Sequence, residues 1–249
     1  MLTSTLPLVA GALVAAMAAP DSNAARRSAF NAEDVLAKSR AAYAALTSYA
    51  DSGTVADESS GFTTHSTFRL RFSRKPHQLL IDARMTESTY SNGHRVPLNK
   101  HFVLWLENGD LQTWRGATQE HETYPAAGGQ QVNALKGANI ATAGISVLMP
   151  SLLYTKAGMA SPVHATEDAE AAGFETLGGR RCYRIIGVER WRYPSGRETG
   201  VRAITLWIDA ETYLIRKIVQ DTPRSMRRGV ISRRITTIEP QANPRLEPA

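Results

Sequence analysis

The sequence has very little cysteine and no apolar run long enough to cross a membrane. Cys182 is the only cysteine among 249 residues, which excludes an internal disulfide. The N-terminal uncharged stretch, Leu6 to Ala19, is shorter than the roughly 20 residues that a membrane-spanning helix needs. Because Cys182 lies in the apolar run 182–186, we interpret it as a small buried hydrophobic residue rather than a reactive thiol.

Catalytic motifs are also missing. The sequence contains no His-Glu-x-x-His, no Gly-x-Ser-x-Gly and no phosphate-binding glycine loop followed by lysine. His121, between Glu120 and Glu122, comes nearest to a metal-ligand set, and we interpret it as part of a solvated loop. We therefore expect no catalytic residue, no metal site, no cofactor and no enzymatic activity.

The N-terminus has the pattern of an export signal, although no lysine or arginine precedes the apolar stretch. Ala16-Met17-Ala18 and Ser22-Asn23-Ala24 are two candidate cleavage sites, and neither has a cysteine nearby that could be acylated. We predict a signal peptide over 1–24 and a soluble, periplasmic, non-lipidated mature protein. An apolar N-terminal anchor and a misassigned start are the alternatives.

Basic residues exceed acidic ones, with a formal net charge of +6, and the arginines concentrate after residue 180. Several of them alternate along predicted strands, as on a solvated face of a sheet. Approach to an anionic membrane surface is the other interpretation. No nucleic-acid-binding motif is present, so we expect no nucleic-acid partner, and we expect a monomer.

The periodicity predicts a mainly β protein of the α+β class. Apolar residues at helical spacing, with Asn31 as N-cap, predict a helix over 32–47. Strict alternation in Thr67–Phe72 predicts a strand, and Asn108-Gly109 predicts a hairpin turn. The segment 125–165 is rich in glycine and alanine, and its apolar part, Ile145 to Tyr154, predicts short helices in an insertion.

These elements predict one domain over 25–239, followed by a proline-containing disordered tail over 240–249. The fold expected for the domain is a single, strongly curved antiparallel sheet, or half-open β-barrel. The N-terminal helix and the short helices of the insertion cover it.

The order of several short motifs resembles the LolA/LolB-type outer-membrane lipoprotein-carrier superfamily and its uncharacterised lipoprotein-sorting-like relatives. The motifs are Tyr43-x5-Tyr49-x-Asp51-x-Gly53; Thr67-Phe68 leading to Arg74-Lys75-Pro76; Trp105-x2-Asn108-Gly109-x4-Trp114; Gly144-Ile145-Ser146 running to Pro150-Ser151-Leu152-Leu153; Gly179-x2-Cys182-Tyr183-Arg184-Ile185; and Leu206-Trp207-Ile208-Asp209-x4-Leu214-Ile215. The resemblance implies helices that close the mouth of a half-barrel, an apolar concavity for acyl chains, and no catalytic residue. The arginine-rich strands and the long polar segment 125–144 depart from the family's pattern.

We predict that one apolar side of the sheet, with the insertion as a movable lid, binds the ligand. The predicted ligand-binding residues are Phe68, Leu70, Phe72, Leu79, Ile81, Phe102, Leu104, Leu106, Met149, Leu152, Leu153 and Leu206. The function expected is that of a non-enzymatic carrier or binding protein whose partner is the acyl chain of a lipid or a lipoprotein. One alternative is an envelope sensor that binds a membrane-protein partner on the same fold. The other is a cofactor-free enzyme acting on an apolar substrate.

Overall fold

The computed structural model describes residues 30–246, with gaps at 60, 91, 127–128, 155–160, 193–197 and 225–229. The predicted signal peptide, residues 1–24, and the last residues of the predicted tail, 247–249, lie outside this part of the chain.

The described part of the N-terminal half consists of a helix followed by six strands. They are α1 (Ala32–Ala45), β1 (Ser48–Ser59), β2 (Phe62–Arg74), β3 (His77–Tyr90), β4 (Arg95–Glu107), β5 (Asp110–Arg115) and β6 (Glu120–Tyr124). Three short helices and six further strands follow. They are α2 (Gln130–Gly137), α3 (Ile145–Leu153), α4 (Pro162–Ala165), β7 (Thr166–Leu177), β8 (Arg180–Arg192), β9 (Glu198–Asp209), β10 (Ile215–Arg224), β11 (Val230–Ile238) and β12 (Gln241–Ala242).

The strands that the structure describes form one antiparallel sheet. Its order is β6-β5-β4-β3-β2-β1-β11-β10-β9-β8-β7, with β12 paired to β1 beside this path. The two halves of the chain meet where β1 pairs with β11, from Gly53 opposite Ile238 to Glu58 opposite Arg233. This confirms the predicted mainly β class, with one antiparallel sheet, an N-terminal helix and short central helices. The strong curvature and half-barrel form of the sheet remain predictions.

The hairpin turn at Asn108-Gly109 is confirmed. Both residues have positive φ, 52° and 90°, and they join β4 to β5 with Glu107 paired to Asp110. A two-residue turn of this kind matches the right-handed twist of the flanking strands, and asparagine and glycine are the residues that adopt it most readily.

The predicted helix is α1, and it ends at Ala45, two residues before the predicted boundary. The Asn31 side chain accepts hydrogen bonds from the backbone N–H groups of Glu33 and Asp34, at 2.9 and 3.3 Å. This cap satisfies two of the free N–H groups of the first turn. The buried residues of α1 recur at the predicted spacing: Val35, Leu36, Ser39 and Tyr43.

One face of the sheet, which we call the inner face, packs against the helices. Leu70 of β2, Ile81 of β3 and Leu104 of β4 are cross-strand neighbours on this face. They belong to a hydrophobic cluster that also contains buried residues of α1 and α3. The arginines that alternate with them in β2, Arg69 and Arg71, are exposed.

The first residues of the predicted tail are held against β1. Gln241 and Ala242 pair with Ala50 and Tyr49, and the Asn243 side chain accepts a hydrogen bond from the backbone N–H of Thr47 at 2.8 Å. Because prolines flank these residues, the sequence predicts that they belong to a disordered tail. Proline lacks a backbone donor but is compatible with an edge such as this.

Candidate functional site

The structure brings the predicted ligand-binding residues together. They come from four strands and α3, and eleven of them are at most 5% exposed: Phe68, Leu70, Phe72, Leu79, Ile81, Phe102, Leu104, Met149, Leu152, Leu153 and Leu206. Leu106 is half-buried and packs against the same cluster. We call these twelve residues the inner-face cluster.

The inner-face cluster is covered by helices rather than exposed in an open hollow. Met149, Leu152 and Leu153 of α3 are fully buried, together with Leu36 and Tyr43 of α1. Covering the sheet in this way removes apolar surface from water, which stabilises the protein by about 25 cal/mol per Å². In this structure, side chains of α1 and α3 therefore pack against the face of the sheet where the sequence predicts a ligand.

Arg74, at the end of β2, ties the two covering helices to each other. Its Nε donates to the carbonyl oxygen of Leu46 at 2.7 Å, and its Nη2 donates to those of Tyr43 and Leu153 at 3.3 and 3.1 Å. The last carbonyl groups of a helix lack partners within the helix, and a guanidinium group with five N–H donors can bind several of them. Arg74 belongs to the Arg74-Lys75-Pro76 motif of the resemblance, but sequence reasoning gave it no role at the site.

A buried polar cluster lies beneath α1. Asp51 of β1 is 6% exposed, and neither of its carboxylate oxygens makes a hydrogen bond of ordinary geometry with a described residue, although the Tyr49 hydroxyl is near enough to offset part of the rise in pKa that burial causes. The hydroxyl oxygens of Ser39 and Tyr49 are buried without partners as well. Burial, which disfavours the charged form, raises the pKa of Asp51 to about 7.

Tyr43 is the member of this cluster with a partner, since its hydroxyl oxygen accepts a hydrogen bond from the backbone N–H of Ile215 at 3.2 Å. Burial raises the pKa of the Tyr43 hydroxyl, so the side chain is neutral. The sequence could have revealed the buried acid, because Asp51 shares the parity of Tyr49 and Val55, both of which are buried inward-facing residues of β1.

A polar cleft of about 270 Å³ separates α2 and α3 from β8–β11. We call it the helix–sheet cleft. Its floor carries Glu189, Arg202, Gln220 and Arg234, one from each of these four strands, and Lys136 of α2 stands at its side. Arg202 forms an ion pair with Glu189 through Nε, and Gln220 donates to the same carboxylate at 3.1 Å. Sequence reasoning missed this cleft, because its residues lie far apart along the chain.

The side chain of Arg234 on β11 contacts Asp57 on the neighbouring strand, β1. Its Nε and Nη2 both donate to Asp57 Oδ2, at 3.1 and 2.6 Å. The remaining nitrogen, Nη1, lies against the N-terminus of α3, where Gly144 is the N-cap with φ of 92°. A Cβ at Gly144 would be 2.5 Å from Nη1, at the end of a flexible side chain, so it is the backbone conformation that favours glycine at this position.

The remaining candidate groups do not form a reactive site. Cys182 is fully buried, which confirms its interpretation as a buried hydrophobic residue, and burial raises the pKa of its thiol. His121 lies in β6 rather than in a loop, and its ring stacks on Trp105 with centroids 5.5 Å apart. Within 30–246, gaps aside, no group of three or more His, Cys, Asp or Glu side chains could hold a metal ion. No helix in the same part of the chain is long and apolar enough to cross a membrane.

No protein-family model matches the chain, and no curated protein matches it either. Solved structures do resemble it. LprF from Mycobacterium bovis is 17% identical with a TM-score of 0.47, and the match covers 84% of this chain and 91% of LprF. Lipoprotein LppX from Mycobacterium tuberculosis is 13% identical with a TM-score of 0.44, covering 86% of this chain and 96% of LppX.

A LolA superfamily protein from Nitrosomonas europaea is 10% identical with a TM-score of 0.36, and the match covers 88% of this chain and 96% of that protein. The chain is thus similar in fold to these structures at low sequence identity, and a LolA superfamily protein is among them.

Proposed function

We propose that this protein is a non-enzymatic periplasmic carrier that binds the acyl chain of a lipid or a lipoprotein between the inner face of the sheet and α3. The observation that supports this proposal is the chemistry of the covering helix. Four buried side chains of α3, Ile145, Met149, Leu152 and Leu153, are apolar and belong to the hydrophobic cluster, and two buried serines, Ser146 and Ser151, lie on the same helix.

An acyl chain can replace these side chains at small net cost. Each buried CH₂ group of a ligand contributes about 0.8 kcal/mol, so a chain of about 16 carbons contributes roughly 10 kcal/mol before ordering costs. Burying one leucine or methionine side chain contributes about 1.5–3 kcal/mol. A ligand that lifts α3 and takes the place of its side chains against Leu70 or Leu104 therefore exchanges one apolar contact for another.

Among the described residues, only a few hydrogen bonds hold α3 in place against this movement. At its C-terminal end, α3 is held by Arg74 and by Tyr154, whose hydroxyl lies 2.8 Å from Nε2 of His77. At its other end it is joined to α2, because Ser146 donates to the carbonyl oxygen of Leu135 at 2.7 Å. We infer that α2 and α3 move together as the lid.

Ligand titration combined with hydrogen exchange tests the proposal. Delipidated protein is titrated with a fluorescent long-chain fatty acid, and amide exchange is measured with and without ligand. We expect one ligand per protein, with altered protection in α3 and unchanged protection in β2 and β3, whose backbone ladder does not open.

The proposal fails if folded protein binds no apolar probe. If an inner-membrane protein is then recovered from envelope extracts in the absence of any lipid, the result supports the envelope-sensor hypothesis instead. Export is part of the proposal, and fractionation of the natural host tests it separately.

A further inference from the structure

We propose that the helix–sheet cleft binds the anionic headgroup, a carboxylate or a phosphate, of the amphiphile whose chain lies under α3. This inference rests on the proposed function, and it specifies the ligand class: anionic single-chain or phosphate-bearing lipids rather than neutral ones.

Positive charge converges on one end of the cleft. Nη1 of Arg234 makes no hydrogen bond with any described residue, and it lies against the N-terminal end of α3. That end carries a partial positive charge from the helix dipole, although its first N–H groups are already bonded: Ser146 donates to Thr142 Oγ1 at 3.1 Å, and Ile145 and Val147 donate to the carbonyl oxygens of Thr142 and Gly144. Asp57 is paired with the other two nitrogens of Arg234, so Nη1 is the part of this guanidinium that is left to bind an anion.

Lys136 adds a further cation. It projects from α2 into the same cleft and forms no ion pair with the residues that the structure describes. The carboxylates nearby are already engaged, since Glu189 accepts from Arg202 and Gln220, and Asp57 accepts from Arg234. Lys136 therefore adds positive charge beside these two ion pairs in the described part of the cleft.

The size and walls of the cleft suit a headgroup joined to an acyl chain. Its volume of about 270 Å³ is enough for a phosphate or carboxylate with its first methylene groups. Val147 and Leu148 of α3 form an apolar wall beside the charged floor. The opposite side of α3 covers the inner-face cluster, so one ligand could place its charge in the cleft and its chain beneath the helix.

The decisive experiment uses three ligands of equal chain length and a matched pair of variants. The ligands are palmitate, 1-palmitoyl lysophosphatidic acid and 1-monopalmitoylglycerol, measured by calorimetry at low ionic strength. Arg234→Gln is compared with Arg233→Gln, because Arg233 is the next residue on β11 and is likewise paired with an aspartate, Asp221, at 2.7 Å, but lies on the other face of the sheet.

We expect both anionic ligands to bind the natural protein about tenfold more tightly than monopalmitoylglycerol, which corresponds to about 1.4 kcal/mol. Arg234→Gln should remove this preference without weakening the neutral ligand, and Arg233→Gln should leave it intact. Palmitate binding more tightly than the phosphate ligand identifies the source as a fatty acid, and the reverse order identifies a phospholipid.

Lys136→Gln provides a second variant, since Lys136 is exposed and its loss leaves no buried partner. It should reduce the preference for anions several-fold and weaken the salt dependence of binding. Equal affinity for the three ligands, unchanged by Arg234→Gln and Lys136→Gln, overturns the headgroup site while leaving the carrier function in place. Failure of all three ligands to bind folded protein overturns both.

Discussion

The guanidinium of Arg74 donates a hydrogen bond to the carbonyl oxygen of Leu153 at 3.1 Å, and so it joins the end of β2 to the end of α3. The same side chain binds the carbonyl groups of Tyr43 and Leu46 at the end of α1. One cation thus holds both covering helices over the apolar face of the sheet, and opening the lid requires that its bond to Leu153 breaks.

Arg74→Gln should loosen the lid. Loss of these charge-assisted hydrogen bonds should lower the free energy of unfolding by about 2 kcal/mol and speed amide exchange in α3. Arg71→Gln is the control, because Arg71 is exposed on the same strand. Exchange in α3 that is equally fast in both variants would show that Arg74 does not hold the helix.

Leu152→Ala should bind ligand more tightly than the natural protein. Leu152 is 1% exposed, and a leucine-to-alanine change at such a position costs roughly 2–5 kcal/mol. If α3 leaves the core when a ligand binds, the substitution destabilises the ligand-free protein more than the complex. The apparent affinity for palmitate should therefore rise at least about tenfold.

Leu214→Ala is the matched control, because Leu214 is equally buried but lies outside the lid. It should destabilise the protein to a similar extent without changing the affinity, as measured by calorimetry. An equal change of affinity in the two variants contradicts a moving α3.

Asp51 should make the protein less stable as the pH rises. Its pKa is about 7 in the folded protein against an ordinary value of 3.8, so the folded state holds the proton more tightly than the unfolded state does. The stabilisation is complete below about pH 4 and is lost as the pH rises through about 7, a change of roughly 4 kcal/mol at about 1.4 kcal/mol per pKa unit. Asp51→Asn should flatten this dependence and raise stability at pH 8, as measured by urea unfolding.

Asp209 provides a control for Asp51, because its pKa is shifted in the opposite direction. It is 1% exposed, and burial would raise its pKa, but the backbone N–H of Thr212 and the side chain of Arg216, donating at 3.0 and 2.6 Å, outweigh burial and lower it. The stabilisation that the Asp209 carboxylate provides is therefore present above the pKa that Asp209 has in the unfolded protein, and it is lost as the pH falls. Asp209→Asn should destabilise the protein at neutral pH.

A pH profile that Asp51→Asn leaves unchanged would show that the carboxyl of Asp51 is hydrated in solution.

Gly144→Ala should destabilise the lid by about 1–2 kcal/mol or more. The φ of 92° is unfavourable for alanine, and the new Cβ would displace the end of the flexible Arg234 side chain. At Gly137, the last residue of α2, a Cβ meets nothing within 4 Å, so Gly137→Ala should be neutral or slightly stabilising. Thermal unfolding distinguishes the two, and equal melting temperatures would contradict a conformational requirement for glycine at position 144.

Local patterns predicted the elements of this protein well. The alternation in β2 places Phe68, Leu70 and Phe72 on the buried face, and Asn108-Gly109 forms the turn that its residue types require. The helical spacing after Asn31 identifies α1 and its buried stripe. Each of these signals is local, because side-chain period and turn chemistry depend on neighbouring residues only.

The occupancy of the inner face could not be predicted in this way. Periodicity shows that Leu104 and Leu206 face inward, but whether a ligand or the protein's own helices fill the space beside them depends on where the insertion docks. The apolar segment Ile145 to Tyr154 became α3 and lies against the sheet, so that the predicted hollow is closed.

The sequence by itself determined the strand and helix pattern, the inward parity of the apolar residues and the turns. Only the tertiary structure decided that Arg74 meets Leu153, that Arg234 meets Asp57 across 177 residues, and that Asp51 is buried beneath α1. The physical reason is that these relationships are electrostatic and packing contacts between distant segments. Their energies depend on burial and distance, which exist only once the sheet has brought its two halves together.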